Sequence, residues 1–79
     1  MNTYEKLISV CESVFDGEID KDSIRPDASL REDLAINSIG ILYMALAIEE
    51  SFGIKFVNED FADIRTVQDV VNVIEKKVL

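Results

Sequence analysis

The chain has 79 residues, of which 48% are hydrophobic and 30% are charged, a composition typical of one small globular domain. Sixteen acidic against eight basic residues give a formal net charge of -8, which disfavours nucleic acid and favours basic protein surfaces as partners. The absence of histidine excludes a histidine base, a Ser-His-Asp triad and histidine metal ligands, and a single cysteine excludes an internal disulfide.

No segment of the sequence predicts export or membrane insertion. Residues 1–6 are polar and lack the basic start of a signal peptide. No apolar run approaches the roughly 20 residues that span a bilayer. We therefore expect a discrete cytoplasmic protein without a membrane span.

The first predicted helix covers residues 3–15. Asn2 and Glu5 have the spacing of a capping box, and Asp16 with Gly17 predicts the end of the helix. Apolar residues recur between them at helical spacing: Tyr4, Leu7, Ile8, Cys11, Val14 and Phe15. The single cysteine lies on this core stripe, which favours a buried thiol over a reactive one.

A long connection is predicted over residues 16–37, because Pro26 would interrupt a continuous helix. A loop longer than about 12 to 15 residues is uncommon in a compact domain and is often functional. Apolar residues spaced along this loop indicate that it is pinned to the core: Ile19, Ile24, Ala28, Leu30, Leu34 and Ile36.

Two acidic clusters in this loop have alternative interpretations. The first resembles a calcium-binding loop through its alternating acids: Asp16, Glu18, Asp20 and Asp22. Its sixth position is Lys21 instead of glycine, and its twelfth is Asp27 instead of glutamate, so a calcium-responsive switch is disfavoured. The second cluster, Glu32 and Asp33, lacks the base or metal that an acid pair needs for catalysis. We expect no metal site.

The strongest predicted helix covers residues 38–52 and ends at Gly53. One face is a core stripe: Ile41, Met44, Ala45, Ile48 and Phe52. The opposite side is also apolar: Ile39, Leu42, Tyr43 and Leu46. Because full burial of such a helix is hard to arrange in so small a domain, we predict that its second face binds a partner.

Two further helices are predicted. A short one covers residues 58–63, with Asn58 as its cap and Phe61 pointing inward. Thr66 caps the last helix, with Asp69 at the third position after the cap. Its apolar stripe is Val67, Val70, Val71, Ile74 and Val78. The fold class is all-α: a small helical bundle of three main helices plus one short helix, with a long ordered loop between the first and second helices.

Residues 30–39 read Leu-Arg-Glu-Asp-Leu-Ala-Ile-Asn-Ser-Ile and closely resemble the attachment site of the acyl carrier protein family. That family has a Leu, then Asp-Leu-Gly, a variable residue, and Asp-Ser-Leu or a near variant at the start of its second helix. The resemblance continues through residues 44–54, resumes at residues 64–69, and covers essentially the whole chain. It implies a single carrier-protein domain over residues 1–79 that is not an enzyme.

The resemblance also implies a cofactor. A phosphopantetheinyl transferase would move 4′-phosphopantetheine from coenzyme A to Ser38, and the thiol of the arm would carry an acyl or aminoacyl thioester between acyl-loading and acyl-transferring enzymes. A serine at a helix start fits this role, since the free N–H groups and the helix dipole tolerate an anion. Without the surrounding motif, Ser38 would be interpreted as a helix cap only.

Two features depart from the family pattern. Asn37 replaces the aspartate before the serine; it caps a helix equally well but lacks the charge expected to meet the transferase. Gly40 and Tyr43 stand where many fatty-acid carriers have acidic residues, so only Glu49 and Glu50 keep the acidic character. We therefore predict a dedicated carrier of a specialised pathway, with partners of its own.

The predicted partner-binding residues lie along the second helix: Ile39, Tyr43, Leu46, Glu49 and Glu50. Contacts there should be small and transient, and we expect a monomer. The phenylalanines fit either a packed core or an acyl pocket of the kind that family members have: Phe15, Phe52, Phe56 and Phe61. The alternative function is an unmodified helical adaptor that binds partners through the apolar face of the second helix.

Overall fold

A computed structural model describes residues 2–78. It contains four α-helices, α1 (Thr3–Val14), α2 (Ser38–Phe52), α3 (Asn58–Ala62) and α4 (Val67–Val78), and a 3-10 turn over Lys21–Ser23. The β pairing in the described residues is one isolated antiparallel bridge between Ser29 and Thr66. None of the described helices is long and apolar enough to cross a membrane. The predicted all-α bundle with its long ordered loop is confirmed.

The core lies where α1 packs against both α2 and α4. These three helices contribute the following buried side chains: Leu7, Val10, Cys11, Ile41, Met44, Ala45, Ile48, Val67, Val70, Val71, Val73 and Ile74. Several predicted core residues are not fully buried. On α1 and at its end, the side chains of Tyr4, Ile8, Val14 and Phe15 pack half-buried against the core. Val78 is half exposed, because it lies at the end of α4, past the residues that the bundle covers. Phe52 is half-buried, with the Lys6 ammonium 4.6 Å from the centre of its ring.

The loop between α1 and α2 is fastened to the helices at several points. The Tyr4 hydroxyl donates a hydrogen bond to the Ile24 carbonyl and so ties the loop to α1. The Leu30 N–H donates to the Arg65 carbonyl at 2.9 Å, just before α4. The predicted pinning is confirmed, since Ile19 is half-buried and the other apolar loop residues are buried: Ile24, Ala28, Leu30, Leu34 and Ile36.

The ends of α1 follow the predicted signals closely. The Glu5 N–H donates to the Asn2 side chain at 2.8 Å, and the Asn2 N–H donates to the Glu5 carboxylate at 3.3 Å, which forms the predicted capping box. The helix ends at Val14, one residue earlier than predicted. The chain then turns through Asp16 and Gly17, whose φ angles are 49° and 79°.

The start of α3 differs from the prediction. Asn58 does not cap this helix, because the preceding Val57 N–H donates to the Asp60 carboxylate at 2.8 Å. The helix ends at Ala62, one residue short of its predicted end. Phe61 packs half-buried against the core, as predicted.

The start of α4 is capped as predicted by Thr66 and Asp69. The Asp69 N–H donates to Thr66 Oγ1 at 3.2 Å, and the Thr66 N–H donates to the Asp69 carboxylate at 3.0 Å. These exchanged hydrogen bonds form a capping box in which aspartate takes the place of glutamate. The hydrogen bond from the Thr66 backbone is the main reason why the pKa of the Asp69 carboxyl is lowered. The junction between the loop and α4 is thereby fixed.

Candidate functional site

Asn37 determines where α2 begins. Its backbone is extended, its side-chain oxygen accepts the Gly40 N–H at 2.8 Å, and its carbonyl accepts the Ile41 N–H at 2.9 Å. Asn37 is therefore the N-cap, as predicted, and the interpretation of Ser38 as a helix cap is wrong. Ser38 is the first residue of the helix and is exposed, so its hydroxyl has no capping role.

A tight turn around Ser29 leads the loop toward this site. The Ser29 N–H donates to the Asp33 carboxylate at 2.7 Å, and the N–H groups of Asp33 and Leu34 donate to the Ser29 carbonyl at 3.0 Å each. The Glu32 N–H donates to the Ser29 hydroxyl at 3.1 Å. The carboxylate of Asp33 therefore stabilises the turn. Within residues 2–78 it is not part of a group of side chains that could hold a metal ion.

Ala35 occupies a conformation that favours glycine. Its φ is 55°, in the left-handed region where an L side chain costs roughly 1 kcal/mol. The family motif has glycine at this position. Its replacement by Ala35 could have predicted a strained turn here, and the sequence analysis did not use it. The neighbours Leu34 and Ile36 are both buried, and this turn directs them into the core before Ser38 reaches the surface.

Arg31 lies beside the Ser38 hydroxyl. Its Nη2 donates to Ser38 Oγ at 3.3 Å. The two residues line a cavity of about 250 Å³ together with Ile41, Leu42, Phe61 and Ile64. Sequence reasoning did not single out Arg31, because a separation of seven residues across a turn carries no periodic signal. Only the path of the loop brings the two side chains together.

The side of α2 that faces away from the core is exposed and apolar. Ile39, Tyr43 and Leu46 are each more than 60% exposed, and Leu42 is 54% exposed. Glu50 is exposed as well and shares this side, since it follows Ile39 by eleven residues, about three helical turns. We call these five residues the outer face of α2. The prediction that α2 is not fully buried is confirmed.

Glu49 has different surroundings from Glu50, although the sequence groups them as two docking acids. Its side chain is half-buried, and its carboxylate accepts the Phe56 N–H at 2.7 Å. Its carbonyl accepts the Gly53 N–H at 2.9 Å, where the chain turns with a φ of 67°. Glu49 therefore holds the connection from α2 to α3, whereas Glu50 stays available on the outer face.

The packing around Gly40 explains one of the departures from the family pattern. A Cβ at this position would lie 2.8 Å from the Ile36 side chain and 3.5 Å from the Phe15 ring. A contact under 3.0 Å requires the Ile36 side chain to shift, and because Ile36 is buried, a side chain at position 40 would disturb its packing. The acidic residue that many fatty-acid carriers have here would therefore fit this chain only after Ile36 moved.

The acidic residues of the first loop and the single cysteine, which could in principle bind metal or react, have structural roles instead. The Asp20 carboxylate accepts the Asp22 N–H at 3.0 Å and caps the 3-10 turn. Within residues 2–78, no group of three or more histidine, cysteine or acidic side chains could hold a metal ion. Cys11 is buried with its sulfur 3.9 Å from that of Met44, and burial raises the pKa of its thiol to about 11. This thiol stays protonated at neutral pH and is a poor nucleophile.

Comparison with known proteins identifies the family. The sequence model of the phosphopantetheine attachment site matches residues 5–74. An acyl carrier protein of Thermosynechococcus vestitus is 37% identical over 79 residues, which cover 99% of this chain and 98% of that protein. An acyl carrier protein of Bdellovibrio bacteriovorus is 37% identical over 59 residues, 75% of this chain and 76% of that protein. A meromycolate extension acyl carrier protein of Mycobacterium leprae is 40% identical over 58 residues, 73% and 50% respectively.

The chain therefore belongs to the acyl carrier protein family. It is a non-catalytic carrier whose prosthetic group is a covalently attached 4′-phosphopantetheine. The family is modified by phosphopantetheinyl transferases and interacts with biosynthetic enzymes. The resemblance stated from residues 30–39 is confirmed, and the carrier function is supported over the unmodified adaptor.

Proposed function

We propose that Ser38 is the residue to which phosphopantetheine is attached. The observation that carries the proposal is the exposed hydroxyl of Ser38 at the first position of α2, after the cap Asn37. Within residues 2–78, the backbone N–H groups of Ser38 and Ile39 have no hydrogen-bond partner. Together with the helix dipole, these groups favour a negatively charged phosphodiester at the helix start.

When attached, the group supplies a terminal thiol that carries an acyl chain as a thioester. The chain itself supplies the hydroxyl of Ser38 and the Asn37 cap that fixes the first turn of α2. Cys11 does not compete for the acyl group, because it is buried and protonated. These properties fit a carrier whose reactive group comes entirely from its cofactor.

We further propose that the outer face of α2 docks the partner enzymes. A contiguous exposed apolar surface on a small domain is typical of an interaction site. The net charge of -8 favours partners whose apolar patch is rimmed by basic residues. Because Tyr43 and Gly40 replace acidic residues of fatty-acid carriers, the partners are those of a specialised pathway. We place this monomeric carrier domain, residues 1–79, in the cytoplasm.

Intact-mass spectrometry tests the attachment site. The purified chain is incubated with coenzyme A, magnesium and a broad-specificity phosphopantetheinyl transferase, beside Ser38→Ala and the matched control Ser51→Ala. We expect the wild type and Ser51→Ala, whose serine is exposed at the far end of α2, to gain one phosphopantetheinyl group. We expect no gain in Ser38→Ala. Modification of Ser38→Ala would overturn the assignment.

The same experiment examines the role of Asn37. If the wild type is modified slowly and Asn37→Asp quickly, the missing charge limits recognition by that transferase. Because aspartate caps a helix at least as well as asparagine and its charge suits the helix dipole, Asn37→Asp should not lower the thermal stability. Absence of modification in both proteins, with several transferases, would contradict attachment at Ser38.

A further inference from the structure

Arg31 is a cation without an acidic partner in a strongly acidic chain. The ion pairs of the described residues join Arg25 to Asp27 and Lys77 to Asp60. In residues 2–78, no carboxylate lies within 4.0 Å of the Arg31 guanidinium, which instead contacts Ser38 Oγ at 3.3 Å. Arg31 is exposed, so packing does not force it to this place.

The surroundings of Ser38 favour an anion on a second count. The first turn of α2 has no acidic residue, and Asn37 replaces the aspartate of the family motif. The guanidinium of Arg31 therefore contacts the Ser38 oxygen at the start of α2, in a turn that holds no competing carboxylate. The cation that contacts this oxygen is therefore unpaired within residues 2–78 of a chain whose net charge is -8, which leaves it available to an anion attached there.

We propose that Arg31 binds the phosphodiester of the prosthetic group. This inference rests on the proposed attachment at Ser38. The phosphorus would be bonded to the same Oγ that Arg31 already contacts, so the planar guanidinium would be a neighbouring donor for the phosphodiester. Arg31 also lines the cavity beside Ser38. It is a positioning residue that holds the root of the arm on the cavity side of α2.

NMR spectroscopy tests this role in the unmutated protein first. The chain has three arginines, Arg25, Arg31 and Arg65. In the ¹⁵N-labelled protein, the side-chain Nε–H resonance of Arg31, assigned by its loss in Arg31→Lys, should shift when the apo form is converted to the holo form. The resonances of the other two arginines should stay in place. Because the contact is exposed, 1 M salt should reduce the shift.

Variants of the holo protein provide a second readout. The ³¹P resonance of the phosphodiester should move, and its relaxation should report faster motion, in Arg31→Met. Arg31→Lys should keep part of the wild-type position, because it keeps the charge but not the planar donors. Arg25→Met is the matched control: it loses the same charge in the same loop, at a residue that lines a different cavity, with Tyr4 and Ile8.

The outcomes separate the two proposals. If the wild type gains phosphopantetheine but the Arg31 resonance does not shift and the ³¹P spectra of Arg31→Met and Arg25→Met coincide, the role of Arg31 is overturned and the attachment stands. If neither the wild type nor Asn37→Asp gains the group with several transferases, or if the group is gained at another residue, both proposals are overturned. A shift confined to Arg31 supports both.

Discussion

The buried face and the outer face of α2 have the same kind of side chain in opposite surroundings. On the buried face, Ile41, Met44, Ala45 and Ile48 are at most 8% exposed, whereas the large apolar residues of the outer face are at least 54% exposed. Removal of apolar surface from water contributes about 25 cal/mol per Å². The buried face gains this free energy when the chain folds, and the outer face gains it only when a partner covers it. Apolar surface in excess of what the fold needs is therefore the feature that indicates function.

The largest expected effect is on the buried face. Ile48 is 0% exposed, so Ile48→Ala should remove contacts on all sides and leave a cavity. We expect a loss of about 2 to 5 kcal/mol in the free energy of unfolding. The total for a domain of this size is about 4 to 12 kcal/mol, so the variant should be close to unfolding. Urea denaturation followed by circular dichroism at pH 7 measures the difference.

The matched variant on the outer face is Leu46→Ala. It lies two residues away on the same helix and removes a side chain of the same size that is 62% exposed. We expect its free energy of unfolding to stay within about 0.5 kcal/mol of the wild type. Equal losses in both variants would mean that the outer face is covered in the folded protein, and the comparison would fail.

Docking should respond in the opposite way. Tyr43→Ala should lower kcat/KM for acyl loading of the holo protein about 5- to 30-fold, the effect of losing an interface aromatic worth about 1 to 2 kcal/mol. Glu50→Lys should have a smaller effect that depends on salt, since a rim charge mainly changes the association rate. Val57→Ala, at an exposed apolar residue off the outer face, is the control. A larger loss from Glu50→Lys than from Tyr43→Ala would contradict a docking surface dominated by apolar contacts.

Local signals in the sequence were sufficient to predict α2 and the starts of α1 and α4. Helix α2 begins after Asn37 and ends before Gly53, as predicted, because an N-cap residue and a left-handed glycine at the C-terminus each act within one helical turn. The outer face was also predictable, since a domain of 79 residues is too small to bury both apolar sides of one helix. These features depend on neighbours in sequence and on no distant contact.

Other parts of the site depend on contacts that sequence spacing does not encode. Arg31 reaches Ser38 only because the turn around Ser29 folds the loop back. The division between Glu49 and Glu50 depends on where the Phe56 N–H lies after the chain reverses at the end of α2. Such a hydrogen bond joins residues whose approach is set by tertiary packing, so the sequence showed two similar acids where the structure has one anchor and one free charge.

Ala35 tests whether an exposed position near the site can affect stability. Its left-handed φ of 55° strains an alanine but not a glycine. After the larger entropy of an unfolded glycine is allowed for, Ala35→Gly should stabilise the chain by about 0.5 to 1 kcal/mol and raise Tm by about 2 to 8 °C. Differential scanning calorimetry measures the change.

The control for this substitution is Ala47→Gly in the interior of α2, which should destabilise the chain by about 1 kcal/mol because its backbone is helical. Because the loss of a methyl group alone stabilises neither variant, a gain in Ala35→Gly beside a loss in Ala47→Gly, whose methyl group also packs against the core, would identify the left-handed φ of residue 35 as the cause of the gain. A lower Tm for Ala35→Gly would contradict strain at this turn. Modification of Ser38 should be unchanged in a correctly folded Ala35→Gly protein.

The smallest expected effect lies at the ion pair that joins α3 to α4. Lys77 Nζ is 2.9 Å from the Asp60 carboxylate, and this hydrogen bond is the main reason why the pKa of Asp60 lies below its ordinary value of 3.8. Because the pKa is lower in the folded state, the pair stabilises the protein above pH 3.8 and its contribution is lost as the pH falls through the folded value.

Lys77→Met should therefore lower the free energy of unfolding by about 0.5 kcal/mol at pH 7, the usual size for a partly exposed pair. The difference between variant and wild type should shrink as the pH falls below 3.8, because Asp60 then becomes protonated in both proteins. Lys76→Met, which removes a neighbouring exposed charge outside the pair, should show a smaller pH dependence. Urea denaturation at a series of pH values measures this. A difference that stays constant down to acid pH would show that Lys77 stabilises the protein through the packing of its aliphatic stem. Burial, and not charge, would then stabilise this end of the bundle, as it does the buried face of α2.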